Sequence, residues 1–248
     1  MESKLQFIIY SVLLVVIGVM MGMLLVPLTS SETTLKTPLG GGTYFSKVNI
    51  VAVTSMGTGI LSKAEVEIRA GKGRVLFSVN PFVEPDTQYS AETAKRVAEA
   101  FTGKSCENKD IIYTIKAGQS RLVGGPSAGA ALTLASIAAI EHKNLRSDVA
   151  ITGTIQENGH IGQIGGVVEK ATAAAKNGMK TFLVPKGQSK EVFYEKKTTE
   201  RRGYGLVFQR TYYEPVEVDL NKAFFEEYGM QVIEVSSIGE AAAYAFES

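Results

Sequence analysis

Hydrophobic positions fall into two regimes along the chain. Residues 5–26, LQFIIYSVLLVVIGVMMGMLLV, hold 22 positions without a charge. A helix needs about 20 such residues to cross the hydrocarbon core of a bilayer. The run lacks the polar periodicity of a half-buried helix. It is also long for the apolar part of a cleaved signal peptide, and no clear small-x-small cleavage site follows. The pattern therefore predicts one transmembrane helix within residues 1–26. Residues 27–46, PLTSSETTLKTPLGGGTYFS, are rich in Ser, Thr, Pro and Gly and read as a flexible linker.

From residue 47 the pattern becomes that of a folded domain. Strands are predicted at 48–55, 63–70 and 75–79, with KAEVEIRA alternating over 63–70 and glycine turns at 57–59 and 71–73. Asn-Pro and Glu-Pro-Asp mark 80–90 as a loop. Ser90 is then placed to cap a helix over 91–101, closed by Gly103. Further strands are expected at 111–115, 149–153, 181–184 and 230–235. Helices are expected at 128–141, 167–176 and 237–246. The helix over 128–141 has apolar or small residues around most of its circumference and reads as central and buried. Residues 186–228 form an elaboration, and its run EKKTTERR reads as a solvated face.

Composition narrows the function. The 248 residues carry 26 basic and 25 acidic side chains, a formal net charge of +1. That balance gives no footprint for nucleic acid. Cys106 is the sole cysteine and His142 and His160 are the sole histidines, so an intrachain disulfide is impossible and a zinc site is poorly supplied. Neither a metal nor another cofactor is expected. Lys4 precedes the apolar run and Lys36 and Lys47 follow it, with Glu2 subtracting, so flanking charge barely selects a side of the membrane.

Candidate chemistry centres on GGPSAG at 124–129. Pro126 stiffens the chain before Ser127, and the glycines let backbone approach a ligand closely. The following helix directs free N–H groups to the same place. Such a turn stabilises an oxyanion, caps a helix or cradles a phosphate, and the motif alone leaves these open. The sequence contains no GxxxxGK[ST], hence no Walker-type loop. A serine nucleophile needs a base. His142 lies far along the helix, and His160 sits in a turn; both read as exposed histidines. Lys170, on the small-residue helix opened by Gly165-Gly166, is the stronger candidate, because burial lowers a lysine pKa. The plainer alternative is a lysine stem lying over the helix with its amine in water. Lys176 reads as a solvated charge at the helix end.

Together GGPSAG, ITGTI and GHIGQIGGVVEKATAAAKNGMKTFLVP resemble the proteolytic domain of Lon proteases. The resemblance covers roughly 48–184 and resumes around 230–247. VTSMGTGILSKAEVEIRAGKGRV resembles the family's first hairpin. The resemblance implies an α+β Lon proteolytic domain of the ribosomal protein S5 domain 2-like class, here preceded by one transmembrane helix. It implies a Ser127–Lys170 dyad, whose 43-residue separation matches the family. Thr152 is implied as a residue orienting the lysine. Gly125, Pro126, Ser127 and Ala128 are implied as the oxyanion and substrate-backbone region.

The chain departs from the family at three places. Gly124 stands where the family usually has an acid, Thr154 stands where it has a glutamate, and 111–115 lacks the paired histidines of bacterial members. The implied protein is a membrane-anchored, archaeal-type Lon-like serine endopeptidase without its own ATPase. It would act on unfolded proteins or peptides, with a separate unfoldase as a conceivable partner. A homo-hexameric ring and a cytoplasmic catalytic face are further implications, and 186–228 is either a cover for the active face or an assembly surface. Two alternatives share the pattern. One is a membrane-tethered ligand- or nucleotide-binding module, with Ser127 as a cap. The other is a non-catalytic Lon-like assembly protein.

Overall fold

A computed structural model describes residues 36–78, 82–116, 122–203 and 206–247. The apolar run 5–26 lies outside the described residues. Among the described residues no helix is long and apolar enough to cross a membrane. The domain begins earlier than composition suggests. Thr37–Pro38 pairs in parallel with Lys104–Ser105, Leu39 is buried, and Tyr44 already opens a strand, so 36–46 is part of the fold rather than of a tether. Its Thr and Pro residues sit in extended backbone, which composition cannot distinguish from a linker.

The frame is a seven-stranded mixed sheet. Its strands are β1 (Tyr44–Val53), β2 (Gly59–Ala70), β3 (Val75–Ser78), β4 (Lys109–Lys116), β5 (Val149–Ile151), β6 (Thr181–Pro185) and β9 (Gln231–Val235). The order across the sheet is β9-β6-β5-β1-β2-β4-β3. β1, β2 and β4 form an antiparallel meander. β1, β5, β6 and β9 run parallel to one another in succession. The outcome is a mixed α/β domain. A separate antiparallel hairpin, β7 (Lys190–Gly203) and β8 (Leu206–Asp219), carries most of the 186–228 elaboration.

Side chains of successive strand residues point to opposite faces, and each face of the sheet has its own core. Val48 and Ile50 of β1, Val149 and Ile151 of β5 and Leu183 of β6 enter one apolar cluster. This cluster also takes in α1 (Pro85–Thr102), α2 (Gly129–Glu141) and α5 (Ile238–Ala245). Val51, Ala150, Phe182, Val184 and Val232 enter the other, with α3 (Val167–Lys176) and α4 (Leu220–Tyr228). α2 is the central element, as its all-round apolar pattern predicts: every residue from Gly129 to Ile140 is buried. Its two polar interior side chains are satisfied by its own backbone, Thr133 donating to the Gly129 carbonyl at 2.8 Å and Ser136 to the Leu132 carbonyl at 2.8 Å.

Two expectations are corrected. α1 starts at Pro85, inside the stretch expected to be a loop, so Ser90 lies within the helix and does not cap it. Proline suits the first helical turn, where its missing N–H is no loss and its fixed φ is already helical. The 186–228 segment is regular throughout most of its length and ends in α4. Asp219 caps α4 by accepting from the Lys222 N–H at 3.0 Å.

The dependence of the domain on α2 is testable. Ile137→Ala removes a fully buried side chain from the helix. It should lower unfolding free energy by about 2–5 kcal/mol, read from denaturant midpoints. A loss below about 0.5 kcal/mol would contradict a close-packed α2.

Candidate active site

Ser127 sits on a short 3-10 turn, Pro126–Ala128, that feeds directly into α2. The entry residue Gly125 has φ 88 and ψ 148, a backbone setting that side chains disfavour. The carbonyls of this turn are tied from two sides. From α1, the buried Thr87 hydroxyl donates to the Gly125 carbonyl at 3.0 Å, and the Ser90 hydroxyl reaches the Pro126 carbonyl at 3.5 Å. From the segment after β5, the Gly153 N–H and the Thr152 hydroxyl both donate to the Ser127 carbonyl, at 2.9 and 3.3 Å. The backbone of the turn is thereby fixed, and Ser127 itself stays half-buried at the surface of a cavity.

Lys170 approaches from α3. It follows the αL cap Gly166 and is 4 % exposed. Burial pushes its amine down to about 8, partly opposed by the neighbouring Glu169 carboxylate. Backbone contact sets the height of α3. A side chain on Gly59, at the start of β2, would run into the Glu169 carbonyl, so only glycine lets the β1–β2 turn close on this helix.

Ser127 and Lys170 line the same space. One concavity of about 460 Å³ is bounded by both residues with Gly125, Pro126, Thr154, Gln163, Ile164 and Gly165. A second, of about 290 Å³, is bounded by both with Ala52, Val53, Gly124, Gly165, Gly166 and Glu169. Ser127, Gly165 and Lys170 belong to each, so a groove with two lobes meets at the serine and the lysine. Of the sequence-predicted region, Gly125 and Pro126 line this groove, while Ala128 continues the turn. Thr152 is fully buried, and its hydroxyl serves the serine turn. Neither histidine borders the groove. His142 ends α2 with φ 58 and packs against Tyr44 with the rings tilted, centroids 4.6 Å apart. The His160 N–H is held by the Asn158 side chain in a turn.

The comparison with known proteins agrees with this geometry. Residues 43–202 match the Lon protease (S16) C-terminal proteolytic domain. The chain belongs to that family. Membership places the domain among serine endopeptidases. Lon protease 1 of Myxococcus xanthus is 34% identical over 146 residues, covering 57% of this chain and 18% of that protein. The Lon protease of Azospirillum brasilense is 33% identical over 146 residues, with the same coverage of 57% and 18%. The peroxisomal Lon protease homolog 2 of Caenorhabditis briggsae is 39% identical over 94 residues, covering 38% of this chain and 12% of that protein. The chain thus spans less than a fifth of the length of these Lon relatives.

One Lon departure acquires a spatial counterpart. The space that a side chain on Gly124 would fill is occupied by the carboxylate of Glu84, which precedes α1. A carboxylate from a distant part of the chain therefore stands beside Gly124, next to the serine turn. Residues 84–90 were legible only as a Pro-containing loop, so Glu84, Thr87 and Ser90 gave no signal of their proximity to Ser127.

The buried amine has a thermodynamic signature. An unfolded lysine titrates near 10.4, above the folded value of about 8. Between these values the unfolded chain binds more protons, so Lys170 makes stability rise with pH across that window. Below it, the folded chain carries a cost of about 3 kcal/mol. Lys170→Met should therefore raise stability at pH 7 by up to about 3 kcal/mol and flatten the rise between pH 8 and 10. Denaturant titrations at several pH values check this; an unaltered slope would place the amine in water.

Proposed function

We propose that this chain is a membrane-associated serine endopeptidase that cleaves unfolded polypeptides or peptides through Ser127 and Lys170. The observation that carries the reading is the shared groove, in which a half-buried serine on a helix-entry turn meets a buried lysine with an amine pKa lowered to about 8. A ligand-binding module would draw on a charged lysine. Burial here favours the neutral amine, which is the form able to accept a proton.

In this mechanism neutral Lys170 takes the Ser127 proton as Oγ attacks the peptide carbonyl carbon. Backbone N–H groups of the Gly125–Ala128 region, at the positive end of α2, stabilise the developing oxyanion. The tetrahedral species collapses, the C–N bond breaks, and the Lys170 ammonium protonates the leaving amine. A water molecule then attacks the acyl-enzyme ester, giving its proton to Lys170. Collapse releases the carboxyl product and returns the proton to Ser127. The two lobes suit an extended chain running to either side of the scissile bond. Thr152 is a positioning residue that holds the Ser127 carbonyl. Glu169 tunes Lys170 upward.

The remaining features of this reading rest on sequence and family. Residues 5–26 are long and apolar enough to anchor the chain. A cytoplasmic catalytic face, a ring of six copies and delivery by a separate unfoldase follow from the Lon likeness. The chain contains no Walker-type loop, so peptide cleavage by this chain is proposed to proceed without ATP.

Ser127→Ala and Lys170→Met should each lower peptide turnover by about 1,000-fold or more, with the fold intact by circular dichroism. Thr152→Val should cost about tenfold. Turnover of the parent chain should rise with pH through an apparent pKa of about 8. Glu169→Gln should move that limb to lower pH, because it removes the charge that favours the ammonium. An acylating serine reagent should leave its adduct on Ser127 by mass spectrometry. Full activity in both dyad variants would overturn the assignment.

The anchor is tested separately. The full chain should stay with membranes through a high-salt wash, since apolar insertion is not screened as surface charge is. Recovery in the soluble fraction would remove the anchor from the reading. Protease protection in sealed vesicles of known orientation reports the side of the catalytic domain.

A further inference from the structure

The β7–β8 hairpin takes no part in the chemistry above. Its 14-residue strands pair along their whole length, from Lys190↔Asp219 to Gly203↔Leu206. Side chains of residues 192–201 and 207–215 are exposed. An isolated two-stranded ribbon is marginal in water because neither face is covered. This one also exposes large apolar side chains, among them Phe193, Phe208 and Tyr212. Among the described residues, both outer strand edges are unpaired as well.

Directly paired residues share a face of the ribbon, and the charges of one face are sorted along its length. Near the base this face carries Glu191, Glu195 and Glu214; toward the tip it carries Lys197, Arg201 and Arg210. Lys197 bridges to Glu195 at 3.3 Å and to Glu214 at 3.8 Å near the middle. Among the described residues, Arg201, Arg210 and Glu191 make no ion pair. The ends of the face therefore carry opposite unneutralised charge, about 33 Å apart at the rise of a β-strand.

We propose that this face pairs with the same face of a second copy of the chain, the two ribbons lying antiparallel about a two-fold axis at the level of Lys196. The arrangement is self-complementary, as a two-fold contact requires. Arg201 of each copy then lies over Glu191 of the other. Lys197 lies over the Glu195–Glu214 level, and Arg210 lies over Val216, beside its paired Phe193, so that the guanidinium reaches the edge of an aromatic side chain to which it is attracted. A ribbon about 46 Å long and 10 Å wide covers about 450 Å² per copy, the scale of a weak, reversible contact. Residues 186–228 are thus assigned to association between copies, independently of the Ser127–Lys170 chemistry.

The test uses two double variants of the full chain in mild detergent, followed by sedimentation velocity over a range of concentration. Arg201→Glu with Arg210→Glu reverses the tip, and Glu191→Arg with Glu214→Arg reverses the base. Each alone should raise the apparent dissociation constant of this contact about tenfold or more. An equimolar mixture should restore it, because a reversed tip then meets a reversed base. Unchanged association in both variants, or no recovery on mixing, overturns the proposal. If both variants associate as the parent does while the tip reversal abolishes binding to phosphatidylserine vesicles, the hairpin is a lipid-contacting arm and the proposal falls. A Glu191→Cys, Arg201→Cys variant supplies a second readout. Its thiols are too far apart to join within one ribbon, and the native Cys106 is buried. It should form an intermolecular disulfide that either single-cysteine variant forms at most weakly; absence of that excess also counts against the contact. Cleavage of a short peptide, measured on every variant, reports the dyad separately.

Discussion

Holding a lysine out of water without a carboxylate to neutralise it costs free energy, and the arrangement of this domain follows from how that cost is carried. Lys170 is 4 % exposed and its amine is pushed down to about 8. Its helix could not hold it there alone, because a free helix would turn the amine to solvent. The side chain stays buried because α3 is pressed onto the sheet by Val167, Ala171 and Ala174 on one side and by the glycine contact at Gly59 on the other. The second core of the domain therefore stabilises a group that is itself destabilising, as expected where pKa tuning serves chemistry.

The serine side solves the complementary problem. A nucleophile must be presented on a turn, yet turns are the mobile part of a fold. Here the turn is bounded by the most buried helix of the domain and by hydrogen bonds from α1 and from the segment after β5. Each carbonyl from Gly125 to Ser127 has a donor. The two sides are built on opposite cores of the sheet, α2 on one and α3 on the other. They meet at the groove that Ser127, Gly165 and Lys170 line together. Rigid elements on both faces thus hold the two groups in one groove.

The carboxylate of Glu84 beside Gly124 illustrates what family resemblance leaves undetermined. A motif records which residue type stands at a position, whereas chemistry depends on which atom stands at a place. The carboxylate of Glu84, the residue just before α1 begins at Pro85, fills the space beside Gly124.

Much of this was determined by local sequence. The all-apolar run 128–141, the alternation in KAEVEIRA and the small-residue helix after Gly165-Gly166 each mark an element, because a helix stripe and a strand face are set by neighbours in the chain. GGPSAG and the lysine 43 residues later were likewise legible, through local turn chemistry and through resemblance. The tertiary structure decided the rest. It alone shows that Thr87, Ser90 and Glu84 reach the serine turn, that Thr152 serves the Ser127 carbonyl, and that Lys170 loses its water. Those facts depend on long-range packing across two cores, which no local pattern encodes. The EKKTTERR stretch makes the same point: its charges announce a solvated face, and only strand pairing shows that they are sorted along one face of a ribbon.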